Sequence, residues 1–363
     1  MENILFITTC YFDSLNGGSL IARRDENILR TLCREGSFYT YFVLPRIGKD
    51  SLTMKIHRLQ GIIRGFMGAL TEEKIDEVAT IIKEKNIKKV FLENSQIGLL
   101  AKFIKKRFPY VEVFCYFQNI EYDFVSSTVI KGHDYKHLFW IPLCRKNEKM
   151  ACFYSDKVFV LNQRDKQRME ELYKRKADNI IPVTSPNDYI PSPQTMKQLT
   201  NKRPQALFIG SYFPGNTIGL KWFCEEVMPL VQSNLCIVGS GMKNFESQIK
   251  PSTKISIHDS VPDLQPFYEA ADFVVLPITT GGGMKVKTAE SLKFGKYIIG
   301  TPEAFQGYNI TSDVAKICNN KDEFVKAING FHNSKKYNAP SRELYLSHYC
   351  HEIVEEIFKR LLD

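Results

Sequence analysis

The chain has 363 residues, 44% of them apolar and 25% charged, and a net charge of +9. That is too long for one hydrophobic core and too apolar for a disordered or fibrous chain, so two globular domains are expected. No apolar run approaches the ~18 residues of a membrane span, and the opening MENILFITTC enters a strand with no basic stretch before it, unlike a signal peptide.

Residues 4–8 read as a first buried strand, followed by the loop Asn16-Gly17-Gly18-Ser19 and a helix over about 20–33. The order strand, glycine, helix lacks GxGxxG spacing, and Gly17-Gly18 is explained as well by a simple turn as by an anion contact. A strand over 39–44 ends at Pro45. The stretch 49–70 is different. Leu52, Ile56, Leu59, Ile63 and Phe66 recur every third or fourth residue, with Lys55, Arg58 and Arg64 between them. This basic amphipathic pattern suits a surface helix over a core, or a helix lying on an anionic membrane. Gly61 and Gly65 interrupt it.

Regular alternation then resumes: helix 72–85, strand 90–93, helix 97–108 ended by Pro109, strand 111–117. Strands alternating with helices imply right-handed βαβ units and a parallel sheet. Gln118-Asn119-Ile120-Glu121-Tyr122-Asp123 follows the last of these strands, where polar residues either cap the next segment or line a ligand crevice. A second basic, aromatic stretch runs from 131 to 149, then a strand over 156–161 and a charged helix over 163–175. Residues 1–180 hold 30 Lys and Arg against 22 Asp and Glu, and residues 181–363 hold 19 against 18. The basic excess therefore belongs to the first half. Anionic lipid or a phosphate-bearing substrate suits it. Nucleic acid is not expected, since there is no zinc finger, RNP-type motif or long basic helix.

Five prolines between 180 and 204 read as a linker, with the domain boundary near 185. Beyond it come strands over 206–209, 235–238, 254–258, 272–277, 297–300 and 314–317, separated by helical segments, and a final helix over 342–362 long enough to cross to the first domain. The expected domains are 1–185, 186–340 and the crossing helix 341–363. Nine cysteines form no CxxC pair and sit mostly among apolar neighbours, which points to reduced thiols in a cytoplasmic setting, without zinc or disulfides.

Residues 279–296, TTGGGMKVKTAESLKFGK, organise the second half. A buried strand end leads into Gly281-Gly282-Gly283, then a helical pattern from Met284 that stops near Gly295. A helix N-terminus offers free N–H groups and partial positive charge, and a glycine loop admits an anion closely. Lys285 reads as a first-turn cation, unfavourable to the helix unless an anion is bound. Lys287 and Glu290 share a face. A glycine hinge with an i,i+3 ion pair, or a diphosphate site with a carboxylate for ribose hydroxyls, both fit.

The stretches FIGSYFPGNTIGLKWFCEEVMPLV, CIVGSG, HDSVPDLQPFYEAADFVVLP and GGGMKVKTAESLKFGKYIIGTPEAFQG resemble the donor-binding domain of family 4 glycosyltransferases. That family has the GT-B fold, α/β, with two Rossmann-like doubly wound domains facing each other across a cleft. QNIEYD resembles the family's acceptor-side motif, and Gly17-Gly18 its glycine loop near the donor phosphates. The resemblance implies that Glu290 is the second glutamate of the E-x7-E signature and binds the donor ribose, while Gly282 replaces the first glutamate. It implies that Lys285 contacts the diphosphate, assisted by the amides of Gly283 and Met284. Ser211 stands where many relatives carry an arginine. Val261 matches the segment that reads the nucleobase, and Asn119 and Glu121 match positions facing the acceptor. Lys285 and Glu290 are thus the expected catalytic residues, with no cofactor and no metal.

The implied function is retaining transfer of a sugar from a UDP- or GDP-sugar to a glycan acceptor, lipid-linked, for cell-surface polysaccharide. The implied location is cytoplasmic, peripheral on the inner face of the membrane. A UDP-sugar 2-epimerase or a non-catalytic nucleotide-sugar-binding protein would share the architecture. The sugar, nucleotide, acceptor and linkage are not encoded in any motif.

Overall fold

The computed structural model describes residues 2–12, 17–44, 60–131, 135–192, 203–331 and 336–362. The chain divides into two compact units, 1–182 joined by the residues from Val354 onward, and Val183–Ile353.

The first unit is one parallel sheet of β1 (Asn3–Thr8), β2 (Phe38–Phe42), β3 (Ile87–Leu92), β4 (Glu112–Phe117), β5 (Lys157–Val160) and β6 (Asn179–Ile180), in the order β2-β1-β3-β4-β5-β6. Its helices are α1 (Gly17–Leu32), α2 (Glu72–Glu84), α3 (Gly98–Arg107), α4 (Glu121–Lys131), α5 (Trp140–Tyr154) and α6 (Gln163–Tyr173). The strands are apolar on both faces because helices cover both. Leu5, Ile7, Val90 and Leu92 join the core under α2 and α3. On the other face Phe6 stacks on Phe91 at 5.6 Å, and Phe358 from the last helix meets Phe91 edge-on at 5.6 Å.

The second unit repeats the plan with β7 (Gln205–Ile209), β8 (Asn234–Gly239), β9 (Ile255–Asp259), β10 (Phe273–Leu276), β11 (Ile298–Gly300) and β12 (Ala315–Ile317), in the order β12-β11-β10-β7-β8-β9. Its helices include α7 (Pro214–Trp222), α8 (Gln265–Ala270), α9 (Val286–Lys293), α10 (Lys321–Asn329), α11 (Ala339–His348) and α12 (His351–Leu362). In each sheet the strand order reverses beside the first strand, between β1 and β3 and between β7 and β10. Such a switch point opens a crevice at the carboxyl ends of the strands.

Three sequence expectations change. Residues 49–59 of the basic amphipathic stretch lie outside the described residues. In the remainder a helical turn stops at Gly65, whose φ is +96°. Ile63 is 74% exposed while Phe66 is buried, so the helix ends between two positions that periodicity places on one stripe. Second, the basic aromatic stretch from 131 to 149 is helical for much of its length. Pro142 sits in the first turn of α5, where its missing N–H costs nothing. Third, the single helix over 342–362 is two. Ser185 pairs with Cys350 in an isolated parallel bridge, its amide donating to the Tyr349 carbonyl at 3.1 Å, and the Tyr345 hydroxyl donates to the Ser185 carbonyl at 2.9 Å. That bridge takes Tyr349 and Cys350 out of the helical path. It also draws Ser185 into the second unit, in the stretch read as linker.

Candidate active site

The loops after β7, β8, β9 and β10 are tied together. The amide of Tyr212 donates to the Ser240 carbonyl at 2.8 Å and that of Ser260 to the Gly239 carbonyl at 3.3 Å. A Cβ at Gly219 of α7 would overlap the carbonyl oxygen of Pro277, so only glycine lets α7 approach the start of the β10 loop. Gly283 turns that loop with φ +61°. Lys285, extended at φ −93° and ψ 114°, is the N-cap of α9. The Tyr308 hydroxyl donates to its carbonyl at 2.8 Å, and the buried Thr288 hydroxyl donates to the Ala304 carbonyl at 2.7 Å. The start of α9 is therefore fixed from two sides.

The two lysines here have different surroundings. The Lys285 ammonium donates to the Gly282 carbonyl at 3.2 Å and the Gly283 carbonyl at 3.0 Å, and pairs with Glu303 at 2.8 Å. The Lys287 ammonium donates to the Asn216 side chain, its one hydrogen-bond acceptor among the described residues, and lies 5.0 Å from the centre of the Phe208 ring. Gly210, at the end of β7, gives it room, because a Cβ there would stand 3.0 Å from the ammonium. Burial lowers the Lys287 pKa to about 7, helped by the charge of Lys285 and opposed by Glu290. Lys287 occupies the first turn of α9, so the unfavourable first-turn cation is Lys287 and Lys285 is the cap.

Asn216 is anchored in turn by its amide group, which donates to the Ser211 carbonyl at 2.8 Å. Glu290 lies one turn further along α9, beside Lys287, Lys293 and the Tyr268 hydroxyl, and burial raises its pKa. Val261 is half-buried in the loop after β9. Ser211, Gly282, Gly283, Met284, Lys285 and Glu290 thus gather around the β7–β10 switch point, with Val261 at the flank. Lys287 and Asn216 complete the group. The sequence signal for Lys287 was the helix face it shares with Glu290, and nothing marked Asn216.

The remaining expected residues belong to the first unit. Gly17 and Gly18 form the first turn of α1, not a separate loop, and the Gly18 carbonyl accepts from Gln118 at 3.4 Å. Gln118 also donates to Glu93 at the end of β3. Glu93 is fully buried, with one carboxyl oxygen unpartnered among the described residues, and burial, reinforced by Asp25, holds its pKa well above the usual carboxylate range. Glu121 is buried and accepts from Gln96 at 3.0 Å and Asn119 at 3.5 Å. The amides of Glu121 and Tyr122 donate to Glu148 at 2.7 and 3.1 Å. The first turn of α4 is therefore capped by a carboxylate from α5.

Residues 203–333 match the family of glycosyl transferases group 1. The match lies within the second unit and does not extend to the first. A Klebsiella pneumoniae protein described as an uncharacterized 44.6 kDa protein in the cps region is 26% identical over 117 residues, 28% of this chain and 30% of that protein. Among solved structures, Anabaena Alr3699/HepE in complex with UDP aligns with a TM-score of 0.67 at 11% identity, covering 99% of both chains. The lipopolysaccharide outer core galactosyltransferase WaaB aligns at 0.65 and 12% identity, covering 96% of this chain and 95% of that one. A Rickettsia africae glycosyltransferase aligns at 0.63 and 15% identity, covering 100% and 99%. At these identities the likeness concerns the fold: two Rossmann-like α/β units of the GT-B kind.

Proposed function

We propose that the protein transfers a sugar, with retention, from a UDP- or GDP-sugar to a lipid-linked glycan in the assembly of a cell-surface polysaccharide. The observation that carries the reading is Lys287. It is a half-buried lysine whose ammonium has a single acceptor among the described residues, in the first turn of α9 and at the switch point of the sheet. A nucleotide diphosphate placed there meets the amides of Val286 and Lys287 at the start of α9 and this ammonium. As the glycosidic bond to the β-phosphate breaks, negative charge grows on the leaving oxygen, and both groups are already in place to stabilise it. Lys285 braces the glycine loop through its carbonyls and Glu303, and Glu290 is offered to the ribose. Asn119 and Glu121 face the acceptor. The family match, the UDP complex of HepE, the galactosyltransferase name of WaaB and the cps-region relative support this reading.

The direct test is transfer of radiolabelled sugar from a panel of nucleotide sugars to lipid-linked acceptors. A thermal-shift screen chooses the donor, since a ligand at 100 times its dissociation constant adds about 2.7 kcal/mol. Lys285→Ala and Glu290→Ala are each expected to lower kcat/KM at least tenfold, and full activity in both would refute the site. The chemistry uses no divalent ion, so excess EDTA is expected to leave the rate unchanged. Incubation with donor alone is expected to return no epimerised sugar.

A further inference from the structure

We infer that Glu93 is a positioning residue for the sugar acceptor: it locks the Gln118 carboxamide so that the amide oxygen receives the attacking hydroxyl. The two residues stand at the carboxyl ends of neighbouring strands, Glu93 directly after β3 and Gln118 directly after β4. The Glu93 amide donates to the Ile7 carbonyl at 2.9 Å, which carries the pairing of β3 with β1 one residue past the strand. The Gln118 nitrogen reaches back from β4. It donates to the Glu93 carboxyl and, at 3.4 Å, to the Gly18 carbonyl in the first turn of α1. The side chain therefore spans the switch point of the first sheet, with both hydrogens of its NH2 group engaged. A backbone carbonyl can only accept, so the nitrogen is the atom turned inward. The Gln118 oxygen accepts no hydrogen bond from the described residues, and it is not among the partnerless atoms sealed from solvent. Gln118 is 5% exposed, and this oxygen belongs to that exposed part.

Glu93 itself is fully buried, and its second oxygen has no partner among the described residues. A buried oxygen without a partner is unfavourable to folding, and an apolar side chain would avoid that cost. What the acid supplies instead is a hydrogen-bond acceptor at the one place that holds the Gln118 amide. Burial, reinforced by Asp25 and opposed by Gln118 and Arg24, favours the neutral acid. A neutral acid still accepts through its carbonyl oxygen, so the lock adds no charge to the crevice. A glutamine in its place offers the same oxygen. A carboxamide oxygen takes a hydrogen bond from a sugar hydroxyl and so aims its lone pairs, but is far too weak a base to take the proton. The contribution is orientation alone, where a misplacement of about 1 Å costs up to about a hundredfold. Without Glu93 the Gln118 side chain turns about its own torsions and that aim is lost.

The inference rests on the proposed transfer for the identity of the hydroxyl, and its test separates the two. The full chain is assayed with a panel of octyl β-glycosides as acceptors. Glu93→Leu and Gln118→Ala are each expected to lower kcat/KM for the acceptor about tenfold, with the donor dissociation constant unchanged. Glu93→Gln keeps the native rate. Glu93→Leu combined with Gln118→Ala is no slower than Gln118→Ala alone, because the acid acts through the amide. Additive losses overturn the inference. So does a slow Glu93→Gln, or a Glu93→Leu whose donor affinity and Tm fall in step with its rate. If the native protein transfers no sugar, the proposed activity is removed, and the lock is read by NMR of the isotope-labelled chain. There the Gln118 NH2 protons are expected to exchange slowly with solvent, and roughly tenfold faster in Glu93→Leu. Equal exchange in both would overturn the lock itself.

Discussion

Lys287→Met lowers kcat for sugar transfer by about two to three orders of magnitude, the usual loss when one preorganised group at a developing oxyanion is removed. The fold survives, because the ammonium makes one side-chain hydrogen bond among the described residues and otherwise lies over the Phe208 ring. The same residue sets a pH dependence of donor binding. In the free protein Lys287 has a pKa of about 7, depressed chiefly by burial. A bound diphosphate replaces lost solvation with negative charge and raises that pKa. Donor binding therefore takes up a proton between the two values. Affinity is full below pH 7 and falls as pH rises above it, by up to about tenfold per unit. A nucleotide sugar is the ligand to use, because its diphosphate is esterified at both ends and does not titrate there. Calorimetry from pH 6 to 9 should show the slope in the native protein and a flat profile in Lys287→Met. An equal slope in both would assign the proton to another group.

Gly219→Ala destabilises the second unit by about 3 kcal/mol, since a methyl group must displace the Pro277 carbonyl at the root of the glycine loop. For a unit of this size that is a fall in Tm of roughly 6–12 °C. Nucleotide-sugar binding falls with it, because α7 carries Asn216 and the displaced loop leads to α9. Scanning calorimetry with and without donor separates the two effects. A variant with unchanged Tm would show that α7 and the β10 loop have slack that their packing does not suggest.

Much of the fold was legible because its signals are local. Apolar runs such as 273–276 and 111–117, glycine or proline stops, and the alternation of strand with helix follow from burial and backbone sterics within a few residues. The helix in the 131–149 stretch was missed for the opposite reason. Its buried face holds Asn147 and Glu148, polar residues that periodicity assigns to solvent. Asn147 donates to the Gly65 carbonyl and accepts the Leu99 amide, and Glu148 caps α4. Those partners lie at least 26 residues away in the chain. The break at Tyr349-Cys350 was invisible for the same reason, since its cause is Ser185.

The amino-acid order alone determined two doubly wound units and the place of the glycine loop at a strand-to-helix turn. Each is dictated by which residues can be buried and which can turn. Only the tertiary structure decided which partners each lysine of the loop engages. Lys285 and Lys287 are two residues apart, and either could hold a phosphate on spacing alone. Glu303 and two loop carbonyls engage the first, while burial beside Asn216 leaves the second with donors to spare. Charge at a site depends on what desolvates and what neutralises each group, and those neighbours arrive from other strands.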